Sequence, residues 1–258
     1  MMSNPLTEAH CFVGAAVLLA GGAVAHLAGV RWRTVEQGLL VLALLSAVCG
    51  LAFSAVSRAG WPLVAAGEVI LASGTATILW RVLLARCRES GLQAFAFCAV
   101  AVGLIIWGLA QQPGSLVSSA ANSLQPAWLF AARLAVALAC GAFVAAGGVG
   151  VSCLVAAGRG DGRAQVDYGE HTARYAVLVG FPLLTLSLLL AVLGGLYSRG
   201  VYWSWSVGES WQLLTWLYYA VLWCGYVLLG WRSRRLWVLA SLGLVLTILM
   251  LRAVAGMP

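Results

Sequence analysis

Eight long apolar stretches, separated by short polar segments, organise this chain. Each comes close to or exceeds the roughly 20 apolar residues that a membrane-spanning helix needs. None shows the alternation of a transmembrane β-strand. The pattern therefore predicts an all-α, polytopic membrane helical bundle with about eight transmembrane helices. The stretches cover roughly residues 10–30, 37–57, 62–85, 91–111, 127–157, 175–197, 211–230 and 235–256.

Composition supports a membrane protein and argues against separate soluble domains. The 258 residues are 62% hydrophobic and only 9% charged, whereas soluble proteins carry roughly 25% charged residues. The connections are short, so we expect residues 1–258 to form a single transmembrane domain. The first apolar stretch lacks the basic start and small-residue cleavage site of a signal peptide, and we expect it to remain as the first span.

The placement of arginine predicts the orientation in the bilayer. The net charge is +7, and most arginines lie in alternate connections, which the positive-inside rule assigns to the cytoplasm. Both termini and the segment 202–216 are then expected outside a bacterial inner membrane. The arginines form no single basic stripe, so nucleic acid is not an expected partner. The arginine-rich connections hold Arg31 and Arg33; Arg86 and Arg88; Arg159 and Arg163; and Arg232, Arg234 and Arg235.

An aromatic-rich segment lies between the sixth and seventh apolar stretches. It begins with Tyr202 and contains Trp203, Trp205, Trp211 and Trp216. Tyr and Trp favour the membrane interface because the ring is apolar and its N–H or O–H is polar. Four tryptophans exceed what anchoring needs, and we expect a flat aromatic surface suited to a flat apolar ligand such as haem. The alternative is an aromatic belt or an amphipathic stretch lying along the interface.

The sequence around these tryptophans resembles the WWD region of the CcsA/HemX cytochrome c assembly proteins. Similarity is strong over roughly 174–230 and weaker but collinear over 60–155. The strong motifs are Gly180-Phe181-Pro182-Leu183-Leu184-Thr185, Tyr202-Trp203-Ser204-Trp205, Glu209-Ser210-Trp211 and Leu214-Thr215-Trp216. The weaker ones are Trp61-Pro62-Leu63 with Glu68, and Leu124-Gln125 with Trp128-Leu129.

The resemblance implies haem handling at the outer leaflet. In that family the WWD region holds haem while the thiols of apocytochrome c are presented to its vinyl groups. It therefore implies transiently bound haem b as cofactor. The implied partners are haem, apocytochrome c, other cytochrome c assembly membrane proteins and the lipid bilayer.

The sequence departs from the family pattern at several positions. Ser206 replaces the aspartate of the WWD core, and Val207-Gly208 replaces a Pro-Lys pair. Ala132 stands where the first external histidine is usual, and no histidine follows the last apolar stretch. Haem attachment would therefore need a partner. No residue set for independent hydrolysis or redox catalysis is found.

Candidate iron ligands are few. His26 and Cys224, which replaces a span histidine of the family, fall at depths that differ by about 5 Å at 1.5 Å per residue. Imidazole and thiolate both ligate haem iron, so these two are the candidate metal ligands. Their alternatives are a hydrogen bond to a neighbouring helix and simple packing. His10 is a candidate external ligand or a solvated histidine, and His171 is expected in a cytoplasmic loop as a candidate for haem entry.

Two charged residues fall at similar depth on the outer side of the spans. Charges within a bilayer pair with each other or mark a functional site. Glu68 and Arg133 are therefore expected to form a salt bridge, or Arg133 to clamp a haem propionate, since guanidinium matches carboxylate geometry. Arg81 is expected to extend its side chain to the inner surface.

These observations predict a membrane protein of cytochrome c biogenesis that binds, transports or presents haem at the outer face. One alternative is a HemX-like regulatory or structural subunit that has lost haem and carries no cofactor. A transporter of another amphipathic molecule is a further alternative, but no clear internal symmetry supports it.

Overall fold

The computed structural model describes residues 5–27, 33–57, 66–84, 91–110, 127–159, 163–231 and 234–255. Within these ranges the chain forms eight α-helices and no strand, which confirms the predicted all-α bundle. The helices are α1 (Pro5–Leu27), α2 (Arg33–Ser57), α3 (Ala66–Leu84), α4 (Gly91–Ala110), α5 (Ala127–Arg159), α6 (Arg163–Arg199), α7 (Val207–Val227) and α8 (Arg234–Ala255).

Among the residues that the structure describes, three segments are long and apolar enough to cross a membrane, by length and composition. They are Trp128–Gly158 in α5, Gly169–Tyr197 in α6 and Arg235–Val254 in α8. A membrane location follows from these apolar helices. The count of eight crossings and the outward placement of both termini stay predictions.

Helices α3 and α5 form the centre of the bundle. Helix α5 packs against α3, α4, α6 and α8, while α3 also packs against α2 and α4. Residues 67–78 and 139–150 are buried without interruption. The peripheral helices fall into two groups, since α1 packs on α2 and α4, whereas α7 packs on α6 and α8.

Small residues let the central helices approach closely, as is usual where no hydrophobic force drives helices together in lipid. A Cβ at Gly141 of α5 would lie 2.6 Å from the Cβ of Ala76 in α3, and one at Gly147 would lie 2.5 Å from the Cβ of Leu244 in α8. On α5, Phe143 stacks on Tyr219 of α7, with ring centroids 3.5 Å apart. The core thus joins α7 to the centre through aromatic packing.

Two helices extend beyond the apolar stretches that predicted them. Helix α6 begins at Arg163, so His171 is exposed on a helix and not in a loop. Helix α7 begins at Val207, so Trp211 and Trp216 are helical and only the first part of the tryptophan-rich segment is irregular.

Candidate functional site

The α6–α7 connection, residues 200–206, carries the first part of the tryptophan-rich segment. Gly200 adopts φ +67° and its N–H donates to the carbonyl of Leu196 at 3.0 Å. This left-handed glycine ends α6, because residues with a Cβ are disfavoured there. The chain therefore turns sharply and presents Tyr202, Trp203 and Trp205 before α7 begins.

Hydrogen bonds at the start of α7 hold this connection in place. The hydroxyl of Ser206 caps α7 by accepting from the backbone N–H of Glu209 at 3.3 Å. The carboxylate of Glu209 accepts from the backbone N–H and the hydroxyl of Ser204, at 2.9 and 2.8 Å. Our sequence interpretation missed this role, although Ser206-x-x-Glu209 is a recognisable capping signal.

Ser206 stands where the WWD core of the CcsA/HemX proteins has aspartate. Its role as the N-cap of α7 explains why serine is compatible with this position. Serine and aspartate are both favoured at helix N-caps, because each offers a side-chain oxygen to an unpaired backbone N–H. The replacement therefore keeps a cap while it removes a negative charge from the connection.

Trp203 and Trp205 meet edge to face. Their ring centroids lie 6.3 Å apart at an interplanar angle of 75°, so this pair is not flat. Trp203 is half-buried, and its buried Nε1–H has no hydrogen-bond partner among the described residues. Trp205 is 73% exposed and adopts φ +53°, which is rare for a residue with a bulky side chain.

The other two tryptophans contribute to helix packing. Trp211 packs against a cluster that includes Val69 of α3 and Val136 of α5. Trp216 donates from Nε1 to the hydroxyl of Thr185 on α6 at 2.9 Å. The four tryptophans are therefore divided, two on the α6–α7 connection and two in packing, and do not form the single flat surface that we expected from the sequence.

Glu68 and Arg133 lie on the neighbouring central helices α3 and α5. Glu68 is buried, with 2% of its surface exposed, and its negative charge acts on the half-buried Arg133. The two charges therefore lie near enough to interact electrostatically, and a salt bridge between them stays a prediction. Arg81 was expected to extend its side chain to the inner surface, but the residue is buried, with only 3% of its surface exposed.

The candidate iron ligands are distributed over the bundle. His10 is exposed on α1 and Cys224 is exposed on α7, while the side chain of His26 lies outside the described residues. Because α1 and α7 pack against different helices, the structure does not bring the helices of His26 and Cys224 side by side. The described residues contain no group of three or more His, Cys, Asp or Glu that could hold a metal ion.

The weaker family motifs are only partly described. Trp61-Pro62-Leu63 and Leu124-Gln125 lie outside the described residues. Trp128 of α5 is described, and its ring packs against Gly194 of α6 so closely that a Cβ on that glycine would clash. This contact joins the ends of α5 and α6 next to the α6–α7 connection.

Comparison with known proteins confirms the resemblance on which the sequence interpretation rests. The chain is 38% identical over 74 residues to the cytochrome c biogenesis protein CcsA of Synechococcus sp. (strain JA-2-3B'a(2-13)), covering 29% of this chain and 21% of that protein. It is 36% identical over 67 residues to CcsA of Cyanophora paradoxa, covering 26% and 21%. The matched segment thus spans about a fifth of these relatives. No family model matches the chain.

The fold is that of a larger solved protein. The structure superimposes on the cytochrome c haem lyase CcmF with a TM-score of 0.69 and 16% sequence identity, covering 95% of this chain and 45% of that one. At this identity the likeness concerns the fold alone. Nearly the whole chain thus corresponds to slightly less than half of a known helical fold.

Proposed function

We propose that this chain is an integral membrane protein of cytochrome c biogenesis that binds and presents haem at the α6–α7 connection. One observation carries the proposal. The buried Nε1–H of Trp203 has no partner among the described residues, and the Trp203 ring meets the exposed Trp205 ring edge to face. A donor without a partner next to an exposed aromatic face is the combination that a planar ligand with a carboxylate would complete.

The residues of the connection fit haem in their chemistry. The propionates of haem are acceptors for an indole N–H, and its macrocycle packs on aromatic rings. When bound, haem supplies the iron and the vinyl groups to which cysteine thiols attach. Trp203 would donate to a propionate, and Tyr202 and Trp205 would cover part of the ring. Arg133 is a second candidate for a propionate, in competition with its attraction to Glu68.

The conformation of Trp205 supports a binding role. A bulky residue in the left-handed region costs roughly 1–3 kcal/mol and persists where the surrounding structure fixes it. The bonds from Ser204 to Glu209 and the Ser206 cap hold both flanks of Trp205. The strain therefore orients an exposed ring that makes no contribution to a buried core, which favours a ligand-facing role.

The candidate axial ligands of this chain do not form one site. His10 and His26 lie on α1 and Cys224 on α7, two helices that do not pack together, so we propose that the second axial donor comes from another protein. The chain itself holds and orients haem b transiently. Apocytochrome c and other assembly proteins of a bacterial inner membrane are its proposed partners.

A scaffold without haem is the second candidate function, and one observation favours it. Trp211 and Trp216 are committed to packing against the cluster of α3, α5 and α8 and against α6. The packing of these two tryptophans in the bundle is therefore enough to explain their presence, without a haem ligand. A HemX-like structural or regulatory subunit would need these two tryptophans but not the Nε1–H of Trp203.

The absorption spectrum of the purified protein separates the two functions. We expect protein from haem-replete cells to show a Soret band that Trp203→Phe weakens, because this change keeps an aromatic ring and removes the N–H donor. Trp211→Phe is the matched control, since Trp211 packs in the bundle, and should keep the band. A colourless wild-type protein that is folded would contradict haem binding and leave the scaffold.

The ligand candidates are tested in the same preparation. His26→Ala, Cys224→Ala and His10→Ala are compared by the position and height of the Soret band, which depend on the axial ligand. A shifted band in one variant identifies a ligand from this chain. Unchanged bands in all three indicate that none of these side chains ligates the iron.

A further inference from the structure

Three polar side chains from three helices lie at the end of the bundle opposite to the α6–α7 connection. They are Arg174 of α6, Tyr226 of α7 and Trp237 of α8, and we call them the donor cluster. Tyr226 and Trp237 belong to the main core cluster, with only 3% and 5% of their surfaces exposed. The Tyr226 hydroxyl and the Trp237 Nε1–H are buried and have no hydrogen-bond partner among the described residues. Such groups are rare in folded proteins and call for an explanation.

The antiparallel packing of α6 and α7 brings Arg174 level with Tyr226. Gln212, near the start of α7, donates to the hydroxyl of Ser187, in the second half of α6, at 2.9 Å. The same pairing, followed to the other end of the two helices, puts Tyr226 beside Arg174 within about one helical turn. The charges of Glu170 and Arg174 act on the Tyr226 hydroxyl, which agrees with this placement.

The packing of α7 on α8 brings Trp237 to the same level. A Cβ at Gly243 of α8 would lie 2.6 Å from the hydroxyl oxygen of Tyr219 on α7. Because a short connection joins the end of α7 to the start of α8, the two helices run antiparallel. Trp237, before Gly243, is therefore about level with Tyr226, after Tyr219. Helices α6, α7 and α8 pack on one another, so the donor cluster gathers side chains from three directions.

The chemistry of the donor cluster selects an anion with several oxygens. An indole N–H and a guanidinium only donate hydrogen bonds, and a tyrosine hydroxyl can donate as well. A metal cation would find no acceptor on the arginine or the indole. A phosphate offers several acceptor oxygens to donors that come from different helices, and guanidinium matches its geometry. Glu170, one turn before Arg174, opposes an anion by its charge, so the balance between these two residues sets the affinity.

The surface next to the donor cluster is apolar. Val227, Leu228 and Leu229 follow Tyr226 directly and are 46%, 74% and 67% exposed. Arg174 and Glu170 are half-buried, so the side of the cluster that α6 forms is partly open. A phosphate that carries acyl chains would cover this apolar surface as well as reach the donors, whereas free phosphate would cover only the donors.

We infer that the donor cluster is a phosphate site, in which Arg174, Tyr226 and Trp237 donate to the headgroup phosphate of an acidic membrane lipid. Free phosphate shares this chemistry, and the exposed Val227–Leu229 surface favours the lipid as the source. The site lies at the other end of α7 from the α6–α7 connection, and the inference does not depend on haem.

The test uses the full chain in detergent, with phosphatidylglycerol, phosphatidylcholine and inorganic phosphate as probes. Native mass spectrometry measures the bound lipid over a titration, and competition measures inorganic phosphate. The test variant is Tyr226→Phe/Trp237→Phe, which removes both donors and keeps aromatic rings in the core. Tyr218→Phe is the matched control, because it removes a hydroxyl of α7 that already donates to the carbonyl of Leu239 at 2.6 Å.

We expect the double variant to bind phosphatidylglycerol about tenfold more weakly, while Tyr218→Phe binds as the wild type does. Arg174→Gln should weaken binding and Glu170→Gln should strengthen it, because charges of opposite sign are removed beside the phosphate. If the double variant melts at a lower temperature than the wild type, Tyr226→Phe alone, which removes a single oxygen atom, decides by the same criterion.

Two results would overturn the inference. One is that neither phosphatidylglycerol nor inorganic phosphate distinguishes the wild type from the double variant. The other is that phosphatidylcholine binds the wild type as tightly as phosphatidylglycerol does and inorganic phosphate does not compete. If inorganic phosphate binds the wild type but not the double variant, while the lipid binds both alike, the phosphate site stands and free phosphate is its occupant.

Discussion

The carboxylate of Glu209 accepts two hydrogen bonds from Ser204, one from the backbone N–H at 2.9 Å and one from the hydroxyl at 2.8 Å. The two residues lie on opposite sides of Trp205, so this contact closes the α6–α7 connection into a small ring of chain. A charged acceptor makes such bonds stronger than neutral ones. The geometry of the tryptophan pair therefore depends on a carboxylate that α7 supplies.

Removing the carboxylate should loosen the connection without unfolding the bundle. We expect Glu209→Ala to lower the free energy of unfolding by about 1–2 kcal/mol, since two bonds to one charged group are lost at an exposed site. Limited proteolysis near residues 200–206 should become faster. Glu209→Gln keeps one acceptor oxygen and should lie between the two. An unchanged proteolysis rate in Glu209→Ala would contradict a structural role for this contact.

The cap on α7 predicts a graded series at Ser206. Ser206→Ala should destabilise the protein by about 1 kcal/mol, because the backbone N–H of Glu209 loses its acceptor. Ser206→Asp, which introduces the residue usual in the CcsA/HemX proteins, should keep the stability of the wild type, since aspartate caps helices equally well and its charge favours a helix N-terminus. Thermal unfolding in a fixed detergent measures the series. Equal melting temperatures for alanine and aspartate would show that the cap contributes nothing.

Because Trp205 adopts a left-handed conformation, the effect of its backbone on stability can be tested separately from the effect of its ring on binding. Glycine adopts φ near +53° without strain, whereas alanine does not. We expect Trp205→Gly to be more stable than Trp205→Ala by about 1 kcal/mol. Both variants should lose haem or porphyrin binding to a similar extent, because both lack the ring. A Trp205→Ala protein as stable as Trp205→Gly would show that the observed φ is not maintained in solution.

The sequence predicted the helical class and most helix positions because apolar length is a direct consequence of bilayer thickness. It also placed Glu68 and Arg133 at similar depth, and the structure puts them on the adjacent helices α3 and α5, where the charge of Glu68 acts on Arg133. It did not predict that Trp211 and Trp216 are packing residues. Aromatic residues look the same in a sequence whether they face a ligand or a helix, and only the partner, such as Thr185, decides. The buried Arg81 was missed for a similar reason, because its depth depends on how neighbouring helices close around it.

The close packing of Trp128 on Gly194 predicts that alanine is destabilising at Gly194 but not at Gly103. A Cβ at Gly194 would lie 1.6 Å from the Trp128 ring, whereas nothing lies within 4 Å of a Cβ at Gly103. Gly194→Ala should therefore destabilise the protein by about 1–3 kcal/mol, as overpacking usually does. The matched Gly103→Ala should be neutral or stabilising by up to about 1 kcal/mol, because alanine favours helix. Melting temperatures that fall equally in both variants would contradict the contact.

A double-mutant cycle tests whether Glu68 and Arg133 stabilise the fold as a pair or whether Arg133 binds haem. Glu68→Gln and Arg133→Gln should each destabilise the protein by about 3 kcal/mol, because each leaves a charge in the bundle without its opposite. The double variant should lose clearly less than the sum, which is the signature of direct coupling.

The same three proteins are then titrated with haem. If Arg133 also holds a propionate, Arg133→Gln weakens haem binding while Glu68→Gln strengthens it, since the guanidinium is then released from its competitor. If the pair is purely structural, both single variants change stability and neither changes haem affinity. Additive losses of stability in the double variant would show that the two charges do not interact, despite their placement on adjacent helices.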